Sequence, residues 1–564
     1  MMIAKTSKAY INVFLIVLLS ILVLSIIILS WVPPISRDAL THHLAVPKLY
    51  LKHGSIYEIP DRVFSYYPMN LDLLYIIPLY FGNDIIPKLI HFSFALLTAW
   101  LIYGYLKKRT TATYALLGSL FFLSIPIIVK LSITVYVDLG LVFFSTTSLL
   151  LLFKWTENQH KPRYLITSAI TCGLALGIKY NGLISLLLLT SFVVLIHIRY
   201  TPKNSQNQLK SLGFGVLYLL IALIIFSPWM IRNYMWTKNP VYPLYNNIFK
   251  STTPKVSPSE SDHDVLKPKR GLGHFVARKI VYREKWWETL SIPVRIFFQG
   301  QDDNPKYFDG KLNPLLLFFP FLAFLKGRNS SSNVRYEKKI FAFFSLLFLL
   351  FAFLQTDMRI RWISPILPPL VMLSMIGLYE MDGLVLKTSA KFRKIIFLGF
   401  VYGSLITLFT INFMYIFKQF YNVDPLPYIT RKISRDAYIQ RFRPEYTAIK
   451  FANQNIPDNA KILGVFLGNR GYYSDREIVF AYNKYIRDVL KGKDSDTDLL
   501  ISLKNNGITH LLIRYDLFNK WITFNFNELE KQILNNFFHK NAVLLFDRNG
   551  HGLFHINTNR ADIN

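Results

Sequence analysis

Two carboxylates stand at the mouths of membrane-length apolar runs. Asp38 lies in Ser36-Arg37-Asp38-Ala39-Leu40-Thr41-His42-His43, directly after Pro33-Pro34 has stopped the first run. Asp138 lies in Val135-Tyr136-Val137-Asp138-Leu139, where a later run begins. Ionised groups are costly in hydrocarbon, so an acid at such a boundary reads as a site. A carboxylate there can assist the loss of a proton from an attacking hydroxyl, or orient a cation. The plainer reading of Asp38 is a residue complementing the dipole of a helix capped by Ser36, worth ~0.3–1 kcal/mol. That reading leaves His42 unexplained, one turn on at i+4 and on the same face, with His43 and Lys48 extending the polar surface. Asp38 and His42 also have the spacing of a metal-ligand pair, but two ligands make a weak site.

Positive charge comes from other helix mouths. Lys179 sits in Gly173-Leu-Ala-Leu-Gly177-Ile-Lys179-Tyr180-Asn181-Gly182, which ends one apolar run and turns into the next. Its glycines read as helix packing and a turn. Lys179 itself suits a lipid phosphate as well as a site. Arg232 follows Pro228-Trp229-Met230-Ile231 and precedes Asn233, with Asn239-Pro240-Val241-Tyr242-Pro243 beyond; Arg359 and Arg361 precede Pro365 and Pro368. A lone Arg in such a place is commonly an anchor. Several cations facing two carboxylates favour a membrane-anchored phosphate, with Lys179, Arg232, Arg359 and Arg361 as its ligands. Phe64-Ser65-Tyr66-Tyr67-Pro68-Met69-Asn70 supplies aromatic walls. Tyr66 and Tyr67, with Arg37, Tyr180 and Asn233, are the candidate pocket and acceptor surface.

The elements that must position these groups are helices. The chain has 564 residues, 52% hydrophobic and 16% aromatic. Its apolar stretches of roughly 18–22 residues match a bilayer span and are too continuous for barrel strands. About eleven spans are expected by hydropathy, over residues 10–31, 86–106, 113–131, 138–155, 164–179, 182–198, 212–230, 313–326, 339–354, 360–380 and 394–417. The stretch 71–83 is apolar but too short and is interrupted by Pro78, so it reads as re-entrant or interfacial. Basic loops at Lys107 to Arg109, Lys154 to Arg163, Arg199 to Lys210, Lys326 to Lys339 and Lys387 to Lys394 assign one side to the cytoplasm. Loops 32–85 and 231–312 and everything after about residue 418 then lie outside. The formal charge of +30 sits largely in loops, nearer to lipid phosphates than to nucleic acid. The single cysteine, Cys172, excludes an intramolecular disulfide or a multi-cysteine metal site. The first run, after Lys5 and Lys8, is too long for a signal peptide and lacks a small-residue cleavage site, so an uncleaved span is expected.

Beyond the last run the pattern changes to a small α/β domain. Glu445 to Asn455, Asp498 to Lys504 and Asn527 to Phe538 read as helices, Lys461 to Leu467 and Ile508 to Arg514 as buried strands, and Asn549-Gly550 as a hairpin turn. The expected division is a transmembrane domain over 1–417 and an extracytoplasmic domain over 418–564.

The order and sidedness of these motifs resemble the GT-C superfamily of polytopic glycosyltransferases. The closest branch is that of the protein mannosyltransferases and lipid A aminoarabinose transferases, family 39 and its bacterial relatives. The resemblance rests on Arg37-Asp38 to Asn70, Tyr136 to Leu139, Gly173 to Gly182, Pro228 to Asn233 with Asn239 to Pro243, and Arg359 to Pro365. It covers residues 10–417. It implies an all-α polytopic enzyme of the cytoplasmic membrane, with its N-terminus inside. The implied reaction transfers a hexosyl or pentosyl group from a polyprenyl-phosphate-linked donor to a lipid, polysaccharide or protein hydroxyl on the outer face, with inversion. Asp38 would serve as base, with Asp138, His42 and His43 beside it, and no obligatory metal or other cofactor is expected. Many members carry an acidic pair in the first loop. Here it reads Asp38-Ala39, so the expectation is a single carboxylate with a histidine in part of the second role. The rival readings are a lipid-linked sugar flippase or secondary transporter, and a non-catalytic polytopic assembly protein.

Overall fold

The computed structural model describes residues 2–202, 204–249, 274–325, 332–354, 358–387, 391–490 and 496–557. Parts of the expected loops 231–312, Lys326 to Lys339 and Lys387 to Lys394, with Lys203 in the Arg199 to Lys210 loop, lie outside those residues.

The chain is a multi-pass membrane protein built of helices, with a sheet-containing domain at its C-terminal end. Among the described residues seven helices are long and apolar enough to span: Ala9–Ser30, Ile86–Arg109, Asp138–Glu157, Gly182–Tyr200, Ser205–Thr237, Ile360–Leu384 and Leu398–Val423. The run expected over 113–131 is a pair, Ala112–Ser124 and Pro126–Ser132, bent by 64°. Pro126 has no N–H to continue the first helix and drives Ile125 into an extended conformation, which breaks the axis. The other three expected runs fold as helices that are shorter or more charged. Pro162–Leu176 has 15 residues and Leu315–Leu322 has 8. Ser332–Phe353 has 22, but Arg335, Glu337, Lys338 and Lys339 occupy its first half. The expected apolar runs are therefore helical, seven of them as single long apolar helices and one as a bent pair.

Two local features place the site. After Pro33-Pro34 the chain re-enters a helix whose Ala39–His43 turn is π-helical, with Leu44 N–H donating to Ala39 O at 2.9 Å, five residues back. Such turns insert one residue into a helix and recur at functional sites. Second, Gly177 lies against the Asn70 side chain, with no room for a Cβ. Asn70 N–H donates to Gly177 O at 2.9 Å, and Asn70 Oδ1 accepts from Trp229 Nε1 at 2.7 Å. This close approach holds the end of the aromatic loop against the Lys179 turn.

The C-terminal sheet has the order β2-β1-β3-β5-β4, with β1 Lys461–Val465, β2 Glu477–Val479, β3 His510–Arg514, β4 Ala542–Arg548 and β5 His551–Ile556. Strands β2, β1 and β3 are parallel, while β5 and β4 close the sheet as an antiparallel hairpin. Its turn is Asn549-Gly550, both at positive φ, as a two-residue hairpin turn requires. The connection from β1 to β2 is fastened to the first loop. Tyr472 N–H donates to Leu40 O at 3.1 Å. Lys48 Nζ donates to Tyr472 O and Ser474 O, both at 3.0 Å, and Tyr473 OH to Pro34 O at 2.7 Å.

Candidate active site

A cavity of about 540 Å³ opens between the first loop, the Lys179 turn and the Ile360–Ile366 3₁₀ helix. That volume is within the ~300–1,000 Å³ range of small-molecule sites. Its lining includes Asp38, His42, His43 and Asp72 from the first loop, and Lys179, Asn181, Arg359 and Arg361 from the two other segments; Phe64, Tyr67, Tyr180 and Trp362 supply aromatic surface.

Arg361 Nη1 donates to Asp38 Oδ2 at 2.5 Å, and the guanidinium lies 5.0 Å from the Tyr136 ring centroid. Arg361 Nε is buried with no protein partner. Burial raises the pKa of Asp38, but the Arg361 guanidinium, with His42 and His43 beside it, outweighs that and holds the carboxyl well below the usual range. Lys179 Nζ donates to Asp138 Oδ1 at 2.6 Å. Asp138 Oδ2 is buried and unpartnered. Burial pulls the Lys179 ammonium below its ordinary value against the opposing pull of Asp138. Arg359 Nη1 reaches Asp309 Oδ2 at 3.3 Å. These pairs bring acid and base from separate segments, 323 residues apart for Asp38 and Arg361, into one place, with atoms left over that a ligand can engage.

The π turn sends both histidines to the cavity. His42 stacks on Phe64, ring centroids 4.3 Å apart, and its Nδ1 is buried without a partner. His43 Nδ1 lies 2.7 Å from Asp72 Oδ1. Burial, then the neighbouring His43, pushes His42 down to about 3, and burial pushes His43 down to about 3, so both rings are neutral at neutral pH. Burial pushes Asp72 up to about 8. The expectation of a single carboxylate in the first loop is corrected here: Asp38 and Asp72, both from residues 32–85, line the same cavity. Asp72 heads the short helix Asn70–Tyr80, where an apolar stretch with one early acid gave the only sequence signal.

Five of the expected site residues stand outside the lining. Asp138 is behind Lys179. Arg232 is stacked between Trp229 and Trp236, 4.5 and 4.9 Å from their ring centroids, and donates to Tyr67 O at 3.1 Å. Asn233 donates to Tyr66 O at 2.8 Å and to Tyr180 Oη at 3.1 Å. Tyr66 is buried and donates to Glu58 Oε1 at 2.6 Å. Arg37 accepts from the Thr41 hydroxyl through its carbonyl at 2.7 Å. Arg232, Asn233 and Tyr66 therefore brace the wall that carries Tyr67 and Tyr180 rather than form it. Among the described residues no three His, Cys, Asp or Glu side chains converge as metal ligands.

The helical membrane domain with this cavity and the appended sheet is a fold shared with solved structures of other proteins. A family model described as dolichyl-phosphate-mannose-protein mannosyltransferase matches residues 81–231, the stretch that contains Asp138 and Lys179. ArnT from Cupriavidus metallidurans, in a crystal structure bound to undecaprenyl phosphate, shares the fold with a TM-score of 0.55 at 11% identity, over 96% of this chain and 98% of that one. Its apo structure gives 0.55 at 13% identity, over 98% of each chain. The Archaeoglobus fulgidus oligosaccharyltransferase in its apo form gives 0.52 at 11% identity, over 96% of this chain and 74% of that one. No curated protein sequence matches significantly.

Proposed function

We propose that this chain is an integral-membrane glycosyltransferase. It moves a hexosyl or pentosyl group from a polyprenyl-phosphate-linked donor to an acceptor hydroxyl on the outer face of the cytoplasmic membrane, inverting the anomeric carbon. The observation that carries the reading is the pairing of Asp38 with Arg361 and of Asp138 with Lys179 around one cavity, each pair retaining an orphaned polar atom. The similarity to a protein whose structure holds undecaprenyl phosphate, and to the mannosyltransferase family model, supports the same donor chemistry. Basic short loops support a cytoplasmic N-terminus, with residues 418–564 as a domain outside.

The donor phosphate would lie against Lys179, Arg359 and Arg361, whose preorganised charge stabilises the negative charge that develops as the sugar–phosphate bond breaks. The phosphate meets the unpartnered Nε of Arg361, while Asp38, still paired through Oδ2 to Nη1, accepts the hydrogen bond of the attacking hydroxyl at its other oxygen. Asp138 holds Lys179 in place, and Arg232 and Asn233 hold the aromatic wall that flanks the sugar. A carboxylate in this position orients the attacking hydroxyl, whose proton must be lost as the new bond to the sugar forms.

Mass spectrometry of surface glycolipids and glycans from cells with and without the protein tests the reading. The expected result is a product lacking one sugar in its absence, a defect that Asp38→Asn reproduces. Full complementation by Asp38→Asn would contradict it. Movement of lipid-linked sugar across vesicles without its consumption would replace it with a transporter.

A further inference from the structure

We infer that the proton lost by the acceptor hydroxyl is received by the His43–Asp72 pair, at His43 Nε2, with Asp72 as the positioning residue that acts through Nδ1. This rests on the transferase reading above and assigns the acid–base step within it.

The geometry separates two carboxylates of one loop. Asp38 is tied to a guanidinium at 2.5 Å, which favours its ionised form and makes it a weak proton acceptor. Asp72 instead meets a neutral imidazole at 2.7 Å in a buried contact whose two side chains are 4% and 8% exposed. With Nδ1 engaged by Asp72, the ring is fixed in one orientation, and Nε2 is the nitrogen left for the cavity that His43 lines. A carboxylate orienting an imidazole for proton transfer is the relation that activates nucleophiles in hydrolases. Two titratable groups pushed apart by their surroundings mark an acid–base division of labour. Burial pushes Asp72 to about 8, near the value at which a base works best around neutral pH.

The groups facing the pair are Asp38 and His42 on its own turn, Tyr136 at 5.7 Å between ring centroids, Tyr50 and Tyr75 beside Asp72, and Asp138, Lys179, Arg361 and His91 from the surrounding elements. Asp38 and Asp138 favour a proton on the pair, whereas Lys179 and Arg361 oppose it.

The step balances as follows. The acceptor oxygen bonds to the anomeric carbon while the bond from that carbon to the phosphate oxygen breaks, its electron pair leaving with the phosphate. The hydroxyl proton moves to His43 Nε2, and the Nδ1 proton moves to the Asp72 carboxylate, so no separated charges are left in the buried contact. The proton then returns to solvent or to the departing phosphate.

Two measurements test this. Infrared difference spectra of the purified protein over pH 5–9 should show a protonated-carboxyl band that disappears as pH rises through about 8. The band should be absent in Asp72→Asn. An identical titrating band in that variant overturns the assignment without reference to any substrate. Transfer rates are then measured in membranes charged with the polyprenyl-phosphate-sugar extract of the same cells. The wild-type rate should climb with pH up to about 8 and level off. Asp72→Asn and His43→Gln should lose ~10²–10⁴ in rate and the pH limb with it. Both should bind undecaprenyl phosphate as the wild type does, and Asp72→Glu should recover part of the limb. A wild-type limb unchanged in Asp72→Asn, or lost only in Asp38→Asn, overturns the inference while leaving the transferase reading intact. A wild type that transfers nothing sinks both.

Discussion

The helix Asp138–Glu157 joins two ionic clusters that differ in one respect. At its far end Arg109 donates through Nε to Glu337 Oε2 at 2.7 Å, through Nη2 to Glu337 Oε1 at 2.7 Å, and through Nη2 to Glu157 Oε1 at 2.5 Å. Tyr105 donates to the same Glu337 carboxylate at 2.7 Å. Among the described residues none of those polar atoms is buried without a partner. Some 30 Å away, for 20 residues at the helical rise, the Asp38–Arg361 and Asp138–Lys179 pairs leave Asp138 Oδ2 and Arg361 Nε buried and orphaned. Buried polar groups are ordinarily satisfied, and exceptions call for a reason. The far cluster is closed and structural; the cavity cluster is open, and its unmet valence is what a phosphate and a hydroxyl would fill.

The sharpest test of that contrast is a pair of double replacements. Asp38→Asn with Arg361→Met should fold and lose transfer by at least ~10²-fold. Glu337→Gln with Arg109→Met should fold and keep transfer. An active first variant, or an inactive but folded second one, would erase the distinction. The corresponding single change Arg109→Met leaves Glu337 uncompensated and should cost about 3–5 kcal/mol in a denaturation series, most of it recovered in the double variant.

A smaller effect is expected where the C-terminal domain grips the first loop. Lys48→Met removes the bonds to Tyr472 O and Ser474 O and frees the turn that carries Asp38 and both histidines. The turnover rate should fall by up to ~10²-fold with donor affinity little changed, because misplacement by about an ångström carries that cost. Equal loss of donor affinity would mean that the contact shapes the phosphate wall instead.

The smallest effect is on stability against pH. Asp72 has a folded value raised to about 8 by burial, so between its unfolded value near 4 and that figure the folded state binds the extra proton. Its contribution is therefore full at acid pH and is lost as pH rises through about 8. Asp38, held low, contributes in the opposite sense: its stabilisation is present above its unfolded value and lost as pH falls through the folded one. Melting curves over pH 5–9 should decline less steeply for Asp72→Asn than for the wild type. The same slope in both would show that Asp72 does not titrate in this window.

The fold was legible wherever a long apolar run ended in charge, since hydrocarbon permits few alternatives to a helix. It was less legible in the number of spans, because Pro126 and the charged start of Ser332–Phe353 interrupt runs that hydropathy averages together. Strand β2, three residues long, is too short for an alternation signal. In the site, Asp38, Lys179 and Arg361 were readable from their positions at helix mouths. Position does not reveal direction, however, and Arg232 at a similar mouth turns between two tryptophans. The spacing Trp229-x-x-Arg232-x-x-x-Trp236 carried that stacking, since such offsets share one helix face. Asp72 was not singled out because its partner His43 is 29 residues away and only a π turn aims that ring correctly.

The most direct test is the affinity of the purified protein for undecaprenyl phosphate in three forms: wild type, Arg361→Met, and the Arg109→Met/Glu337→Gln double variant. An open cavity cluster and a closed far cluster predict at least about tenfold weaker binding for Arg361→Met, in line with the loss of a charge-assisted phosphate contact, and unchanged binding for the double variant. Equal affinity in all three would contradict the assignment of the cavity cations to the donor phosphate.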